Sequence, residues 1–355
     1  MKKRMKSLFE EIKNNNVDAF LITATPNIRY IARFTGEDAY LLVTDEKIYL
    51  IVDSRFTTQA ENEVFEGVEV VEYKPPFINF LRSLLLKHKV HWLGIEKNRL
   101  SASLYIALLE IGFLHVVPID SLIEKMRMVK DVDEIETIKK ACEISSKSFT
   151  ETLKFIKEGV TEKDIAAELE YRFKKNGADK TSFDTIVAAG ERGALPHGMP
   201  SERKIKAHEL IVMDFGVFYN GYASDTTRTV SIGEIDGESA QIFDIVKEAQ
   251  KLGRDIVKEG ISCKELDGSV RKYIEEKGYG KYFIHGLGHG VGLEIHELPF
   301  VNSRSDITLK EGMVITVEPG IYLPGKFGVR IEDTIFVKKT EGEVLTNLPH
   351  GPIIL

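Results

Sequence analysis

Two aspartates interrupt residues 211–230, IVMDFGVFYNGYASDTTRTV, a stretch otherwise apolar and rich in threonine. Asn220-Gly221 is a strong hairpin signal, because both residue types accept the positive φ of a type I′ turn. Pairing the strands about that turn sets Asp214 opposite Thr227 and Gly216 opposite Asp225. The two carboxylates then share a face one diagonal step apart, with roughly 7–8 Å between their backbones. Carboxylates aimed at one point repel each other unless a cation lies between them. The hairpin predicts a metal site.

Two glutamates and four histidines extend it. Glu318 closes the strand pattern MVITVEPG, which Pro319-Gly320 ends. Glu332 lies in GVRIEDTIFV, where Arg330, Glu332 and Thr334 share a face by alternation. A glutamate buried in such a strand is costly without a partner. In HGLGHGVGLEIHE, His285, His289 and His296 follow one another among glycines that permit close backbone approach. His197, in ALPHGMP, joins them. No Lys-Ser or Lys-Thr follows the glycines, which argues against a phosphate loop. Four carboxylates and an imidazole suit two divalent cations, Mn²⁺ or Co²⁺ first, with Zn²⁺ or Fe²⁺ as alternatives. A pair of such ions ~3.5–4 Å apart acidifies a shared water and polarises a carbonyl. The chemistry that follows is hydrolysis of an amide bond.

These residues need rigid elements to hold them. The first ~120 residues alternate helix and strand patterns, as α/β proteins do. VDAFLITA and the hairpin YLLVTDEKIYLIVD read as strands, followed by a helix in PPFINFLRSLLLKHKV, a strand in WLGIE, a helix in SASLYIALLEIG and a strand in FLHVVPID. SLIEKMRMVKDVDEIETIKKACEISSKSFTETLKFI reads as one long helical connection. TEKDIAAELEYRFKKNG is a helix with Thr161 as N-cap and Asp164 completing a capping box. ESAQIFDIVKEAQKLGRDIV and SCKELDGSVRKYIEEKG are helices placed between the two carboxylate-bearing hairpins. The second region thus consists of two related halves, each a helical layer with a hairpin and one carboxylate pair. The expected fold class is α/β (α+β), with a small α/β domain at 1–121 and a catalytic domain at 122–355.

As a combination, these motifs resemble the metallopeptidases of the pita-bread fold: methionine aminopeptidase, Xaa-Pro aminopeptidase and Xaa-Pro dipeptidase (prolidase). The resemblance rests on DFGVFYNGYASDTTRT, GHGVGLEIHE, EPG and VRIEDT. TPNIRYIARFTG through YLIVDSRFTTQA resembles the creatinase-type amino-terminal domain of the proline-specific branch, and MRMVKDVDEIETIKKA its connecting helix. The resemblance implies five metal ligands: Asp214, Asp225, His289, Glu318 and Glu332. It implies that Glu318 shuttles a proton, with His197 and His296 as further catalytic groups. His197, His285, His296, Tyr322 and Arg330 would contact substrate, and Thr227 would support the ligands from behind. It also implies a homodimer.

One departure bears on substrate. Prolidases commonly carry an arginine after the HE-x-P run to hold the dipeptide carboxylate; HELPFVN places Phe300 there. Losing that charge-assisted clamp costs on the order of 1.5–3 kcal/mol. The reading is therefore an Xaa-Pro aminopeptidase acting on peptides with proline second. Xaa-Pro dipeptidase is the alternative, and a non-catalytic peptide-binding module the second alternative. Arg304 or Arg330 would be the substitute cation for a dipeptidase.

Composition narrows the partners. A net charge of −7 over 355 residues gives no electrostatic case for nucleic acid. No apolar run approaches ~18 residues, so no membrane span is expected. The start, MKKRMKSLFEEIKNNNVDAF, lacks the apolar core of a signal peptide, and Cys142 and Cys263 are the only cysteines. A cytoplasmic protein is expected.

Overall fold

The computed structural model describes residues 2–235 and 237–355. They form two compact units, Met1–Arg127 and Met128–Leu355. The first unit contains helices α1 (Lys2–Asn14), α2 (Thr25–Ala32), α3 (Thr57–Glu63), α4 (Phe77–Lys87), α5 (Ala102–Leu109) and α6 (Leu122–Arg127). Its strands are β1 (Ala19–Ile22), β2 (Ala39–Thr44), β3 (Ile48–Val52), β4 (Val68–Glu72), β5 (Trp92–Glu96) and β6 (His115–Ile119). They make one mixed sheet in the order β4-β3-β2-β1-β5-β6. Leu81, Leu84 and Leu85 of α4 and Leu108 of α5 pack into a core with Leu21, Leu42 and Leu93 of the sheet.

The helical connection after Asp120 is broken, contrary to the sequence reading. α6 stays in the first unit: Leu122 and Ile123 are buried, and Arg127 Nη1 donates to Asn27 Oδ1 at 2.8 Å. The boundary thus falls after Arg127 rather than after Ser121. α7 (Val132–Thr152) starts afresh at Asp131, whose side chain accepts from Glu134 N while the Glu134 side chain accepts from Asp131 N. That capping box fixes a new helix start where apolar periodicity alone shows no interruption.

The second unit repeats one arrangement. α7 and α8 (Glu162–Lys175), with the Thr161–Asp164 capping box in place, pack on strands β7 (Lys180–Thr181), β8 (Ile186–Ala189), β9 (Leu210–Phe215), β10 (Val217–Tyr219), β11 (Tyr222–Ala223) and β12 (Thr226–Ser231). α9 (Gly237–Ile256) and α10 (Cys263–Glu276) pack on the later strands. These are β13 (Gly288–Gly290), β14 (Glu297–Val301), β15 (Val314–Val317), β16 (Gly320–Leu323), β17 (Phe327–Arg330), β18 (Asp333–Val337) and β19 (Gly342–Val344), with β20 (Ile353–Ile354) at the tail. One sheet runs β20-β12-β9-β8 and its counterpart β14-β13-β15-β18-β19. The order β12-β9-β8 is matched by β18-β15-β13, so the two halves share a strand plan. No helix among the described residues is long and apolar enough to cross a membrane.

Candidate metal centre

Each half bends its hairpin at the carboxylates. Asn220 and Gly221 take φ of 46° and 76°, and Asp214 pairs with Thr227, as the sequence indicates. The strands do not run straight through, however: β9 and β12 belong to one sheet, β10 and β11 to another. The crease falls at Gly216, where a side chain would meet the Ser224 carbonyl oxygen at 2.0 Å. Ser224 Oγ accepts from Val217 N at 3.1 Å and holds the crease. Asp225 follows, buried, outside either strand pair. In the second hairpin Val317 pairs with Asp333 and Gly320 with Arg330. Glu318 and Glu332 therefore lie at a matching crease. His289 is the central residue of β13, and its glycine neighbours are required: a Cβ at Gly288 would lie 2.1 Å from the Thr316 carbonyl oxygen.

Ligand atoms of Asp225, His289 and Glu332 all lie within 4.8 Å of one another. His289 Nε2 is 3.4 Å from Asp225 Oδ2 and 3.4 Å from Glu318 Oε1. Nδ1 of His289 faces the Gly290 carbonyl at 3.1 Å, so the proton belongs on Nδ1 and Nε2 presents a lone pair. Burial, then the nearby His296, lowers the His289 pKa to about 3 and keeps it neutral. A lone pair aimed at two carboxylates is an arrangement that only a cation resolves.

The carboxylates show the same need. Burial, then Asp214 and Glu318, raises the Asp225 pKa well above its usual range. Burial, then Asp225, Glu318 and Asp214, does likewise to Glu332. Burial, with Asp214 adding to it, lifts Glu318 to about 8. Asp214 Oδ1 and Glu332 Oε1 are buried without a hydrogen-bond partner. Orphaned, mutually repelling oxygens around a neutral imidazole fit divalent cations.

The remaining contacts orient this set. Thr227 Oγ1 donates to Glu332 Oε2 at 2.7 Å and accepts from Arg330 Nε at 2.9 Å. Arg330 Nη2 donates to Asp214 Oδ2 at 2.6 Å, and Nη1 to the Tyr322 hydroxyl at 2.8 Å and the Pro196 carbonyl at 3.2 Å. Nδ1 of His285 lies 2.8 Å from the Gly286 carbonyl and Nε2 2.9 Å from the Tyr322 hydroxyl, which therefore donates to it. Burial, reinforced by Arg330, lowers His285 to about 4, and burial raises Tyr322 to about 12.

The ten residues expected to hold metal or contact substrate all line one cleft of about 620 Å³. Asp225, His289 and Glu332 converge, with Glu318 against His289. Asp214 faces Arg330. His197 and His296 are exposed at the cleft surface, whereas His285 and Arg330 already serve protein partners. Phe183, Asp184, Met199, Ile284 and Asn302 also line the cleft and carry no sequence signal, since they sit in connections whose position only the fold reveals. Phe300 lines it, 45% exposed. Among the described lining residues Arg330 is the one arginine and none is lysine; Arg304 is not among them.

Residues 136–339 match the family model for metallopeptidase family M24. The chain belongs to metallopeptidase family M24. Residues 4–129 match the creatinase/prolidase amino-terminal domain, so this M24 protein has the creatinase-type domain followed by the pita-bread domain. It is 40% identical over 347 residues to an Xaa-Pro dipeptidase of Pyrococcus horikoshii, covering 98% of this chain and 97% of that one. An Xaa-Pro dipeptidase structure from Bacillus anthracis superposes with a TM-score of 0.95 at 41% identity, covering 99% of this chain and 98% of that one. An X-Pro aminopeptidase structure from Thermotoga maritima gives 0.91 at 43%, covering 99% and 100%.

Proposed function

We propose that this M24 peptidase is an Xaa-Pro dipeptidase that uses two divalent metal ions. The observation that carries the metal part is the convergence of Asp225, His289 and Glu332, with the orphaned oxygens of Asp214 and Glu332 beside them. The names of the relatives support the dipeptidase over the aminopeptidase expected from the sequence. Asp214, Asp225, His289, Glu318 and Glu332 would hold the ions, which when bound supply Lewis-acid polarisation and a more acidic water. The bond before proline is a tertiary amide whose leaving nitrogen has no N–H and must gain a proton. Glu318, directly after β15, would take a proton from the attacking water and deliver it to that nitrogen. His197 and His296, at the cleft surface, would donate hydrogen bonds to the scissile carbonyl. Arg330 and Tyr322 act from behind, the first fixing Asp214 and the second fixing His285.

Phe300 favours a second reading. No free cation among the described lining residues meets a dipeptide carboxylate, which suits an aminopeptidase acting on longer peptides. Turnover of Xaa-Pro against Xaa-Pro-Xaa peptides decides: preference for the dipeptide supports the proposal, and preference for the tripeptide overturns it in favour of the aminopeptidase. Chelator treatment should abolish either activity and Mn²⁺ or Co²⁺ restore it. Full activity in a sample shown metal-free would sink the metal assignment, and metal binding without any turnover would leave a peptide-binding module. We also propose a homodimer, which a monomer mass by light scattering at micromolar concentration would refute.

A further inference from the structure

We infer that Lys130 is a positioning residue for His296, acting through the buried carboxylate of Glu297. The inference rests on the peptidase reading above for its effect on turnover. Lys130 Nζ lies 2.7 Å from Glu297 Oε1, and the two side chains are 1% and 3% exposed. The lysine's backbone is itself fixed, since Lys130 N donates to the Gly312 carbonyl at 2.8 Å and Val129 bridges Met313. Its own anchorage is therefore the loop that leads into β15 and Glu318.

Glu297 ends the least regular stretch of the site. The ladder between β13 and β14 shifts register after His289, so that Gly290 pairs with Glu297 and residues 291–296 form a turn without strand or helix. The Glu297 carboxylate folds back over that turn. Glu294 N donates to Glu297 Oε2 at 3.4 Å, and a side chain at Gly292 would meet Glu297 Oε1 at 2.4 Å. His296 immediately precedes this anchor and is exposed, with its ring edge-on to His289 at 4.3 Å between centroids. An exposed ring next to a metal-site histidine takes its position from the segment that carries it, and Glu297, the next residue in the chain, ties that segment back at Glu294 N. Removing one partner of a buried ion pair leaves the other charge uncompensated, which is strongly destabilising. Lys130 supplies the cation for Glu297 from a segment more than 160 residues upstream.

The test uses Lys130→Met and, because removing one partner of a buried ion pair endangers folding, the double variant Lys130→Met/Glu297→Leu, which removes both charges. The imidazole signal of His296, identified by its loss in His296→Ala, is followed by NMR together with kcat and KM on the Xaa-Pro peptide that the wild type cleaves. We expect the His296 signal to move in both variants and kcat to fall tenfold or more with KM changed less than threefold. In a His296→Ala background, Lys130→Met should change kcat less than twofold, because the losses share one route. An unmoved His296 signal in the folded double variant, wild-type turnover in that variant, or fully additive losses overturns the inference. A wild type that cleaves no Xaa-Pro peptide removes the functional reading instead, and the His296 signal still decides the positioning.

Discussion

Glu332 and Asp333 are neighbours in the chain and equally buried, yet the two sides of the strand treat them oppositely. Asp333 faces Arg228, whose Nη2 donates at 2.7 Å, along with Gln250 Nε2 at 2.6 Å and His350 Nε2 at 2.7 Å. Burial pushes its pKa up, but Arg228 and His350 outweigh that and hold it at about 2. Glu332 faces Asp225, Glu318 and Asp214, keeps one oxygen without a partner, and has its pKa driven up. Glu162 repeats the first pattern, its carboxylate taking donors from Ala189 N, Arg192 and Ser201. A saturated buried carboxylate holds structure together. One crowded by its own kind and left short of donors is waiting for a cation.

The largest effect should separate these two residues by assay. Glu332→Gln should lower kcat/KM for Xaa-Pro peptide by at least ~10³-fold, roughly 4 kcal/mol of barrier, while leaving the metal-free protein as stable or more so. Asp333→Asn should instead cost about 3–5 kcal/mol of stability, because Arg228 is left buried beside a neutral group. Denaturant unfolding of both variants without metal checks the contrast. Equal destabilisation would mean that Glu332 is as structural as Asp333.

A smaller and graded effect is expected from pH. Glu318, at about 8 against an ordinary 4.5, binds its proton more tightly in the folded state. Its contribution is fully present below about 4.5 and is lost as pH rises through about 8, so the metal-free protein should lose stability across that window. Asp333, at about 2 against 3.8, behaves in the opposite sense: its contribution is present above 3.8 and is lost as pH falls through about 2. Bound cations replace the proton at Glu318, so metal should flatten the alkaline decline and leave the acid one. Melting temperatures from about pH 2 to 8.5, with and without Mn²⁺, would show both arms; parallel curves on the alkaline side would count against a cation at Glu318.

Much of the centre is legible in the sequence, for local reasons. Asn220-Gly221 dictates a two-residue turn, and the turn dictates that Asp214 faces Thr227. Thr161 and Asp164 announce a helix start because a capping box is built within four residues. What escapes are features whose partners lie far along the chain. The crease at Gly216 depends on the carbonyl of Ser224 across a bent sheet, and no periodicity marks it. Arg330 reads as a substrate contact, and the bonds it also makes to Asp214, Thr227 and Tyr322 carry no signal in the sequence. The helix that ends at Arg127 looks continuous with the next because amphipathic spacing carries across the break, and only the Asp131 cap interrupts it.

The smallest expected effect compares two threonines on one face of β12. Thr227 Oγ1 joins Arg330 Nε to Glu332 Oε2, so it touches both the orienting cation and a proposed ligand. Thr229 Oγ1 donates to the Arg330 carbonyl at 2.9 Å and accepts from Arg330 N at 3.1 Å, and so ties only backbone. Valine replaces either side chain with nearly the same shape, leaving loss of the hydroxyl as the change. Both variants leave buried polar groups short of a partner, which costs about 1–3 kcal/mol. The difference should appear in turnover. Without the hydroxyl of Thr227, Glu332 Oε2 loses its donor and Arg330 loses one of the bonds that aim it at Asp214, so kcat should fall roughly tenfold to a hundredfold, as for other groups that orient ligands. Thr229→Val should hold kcat within about threefold, since the bonds it loses tie only the Arg330 backbone and leave the guanidinium bonds to Asp214, Thr227 and Tyr322 in place. Equal kcat losses in the two variants, at equal metal content, would show that Thr227 supports the strand and does not orient the ligands.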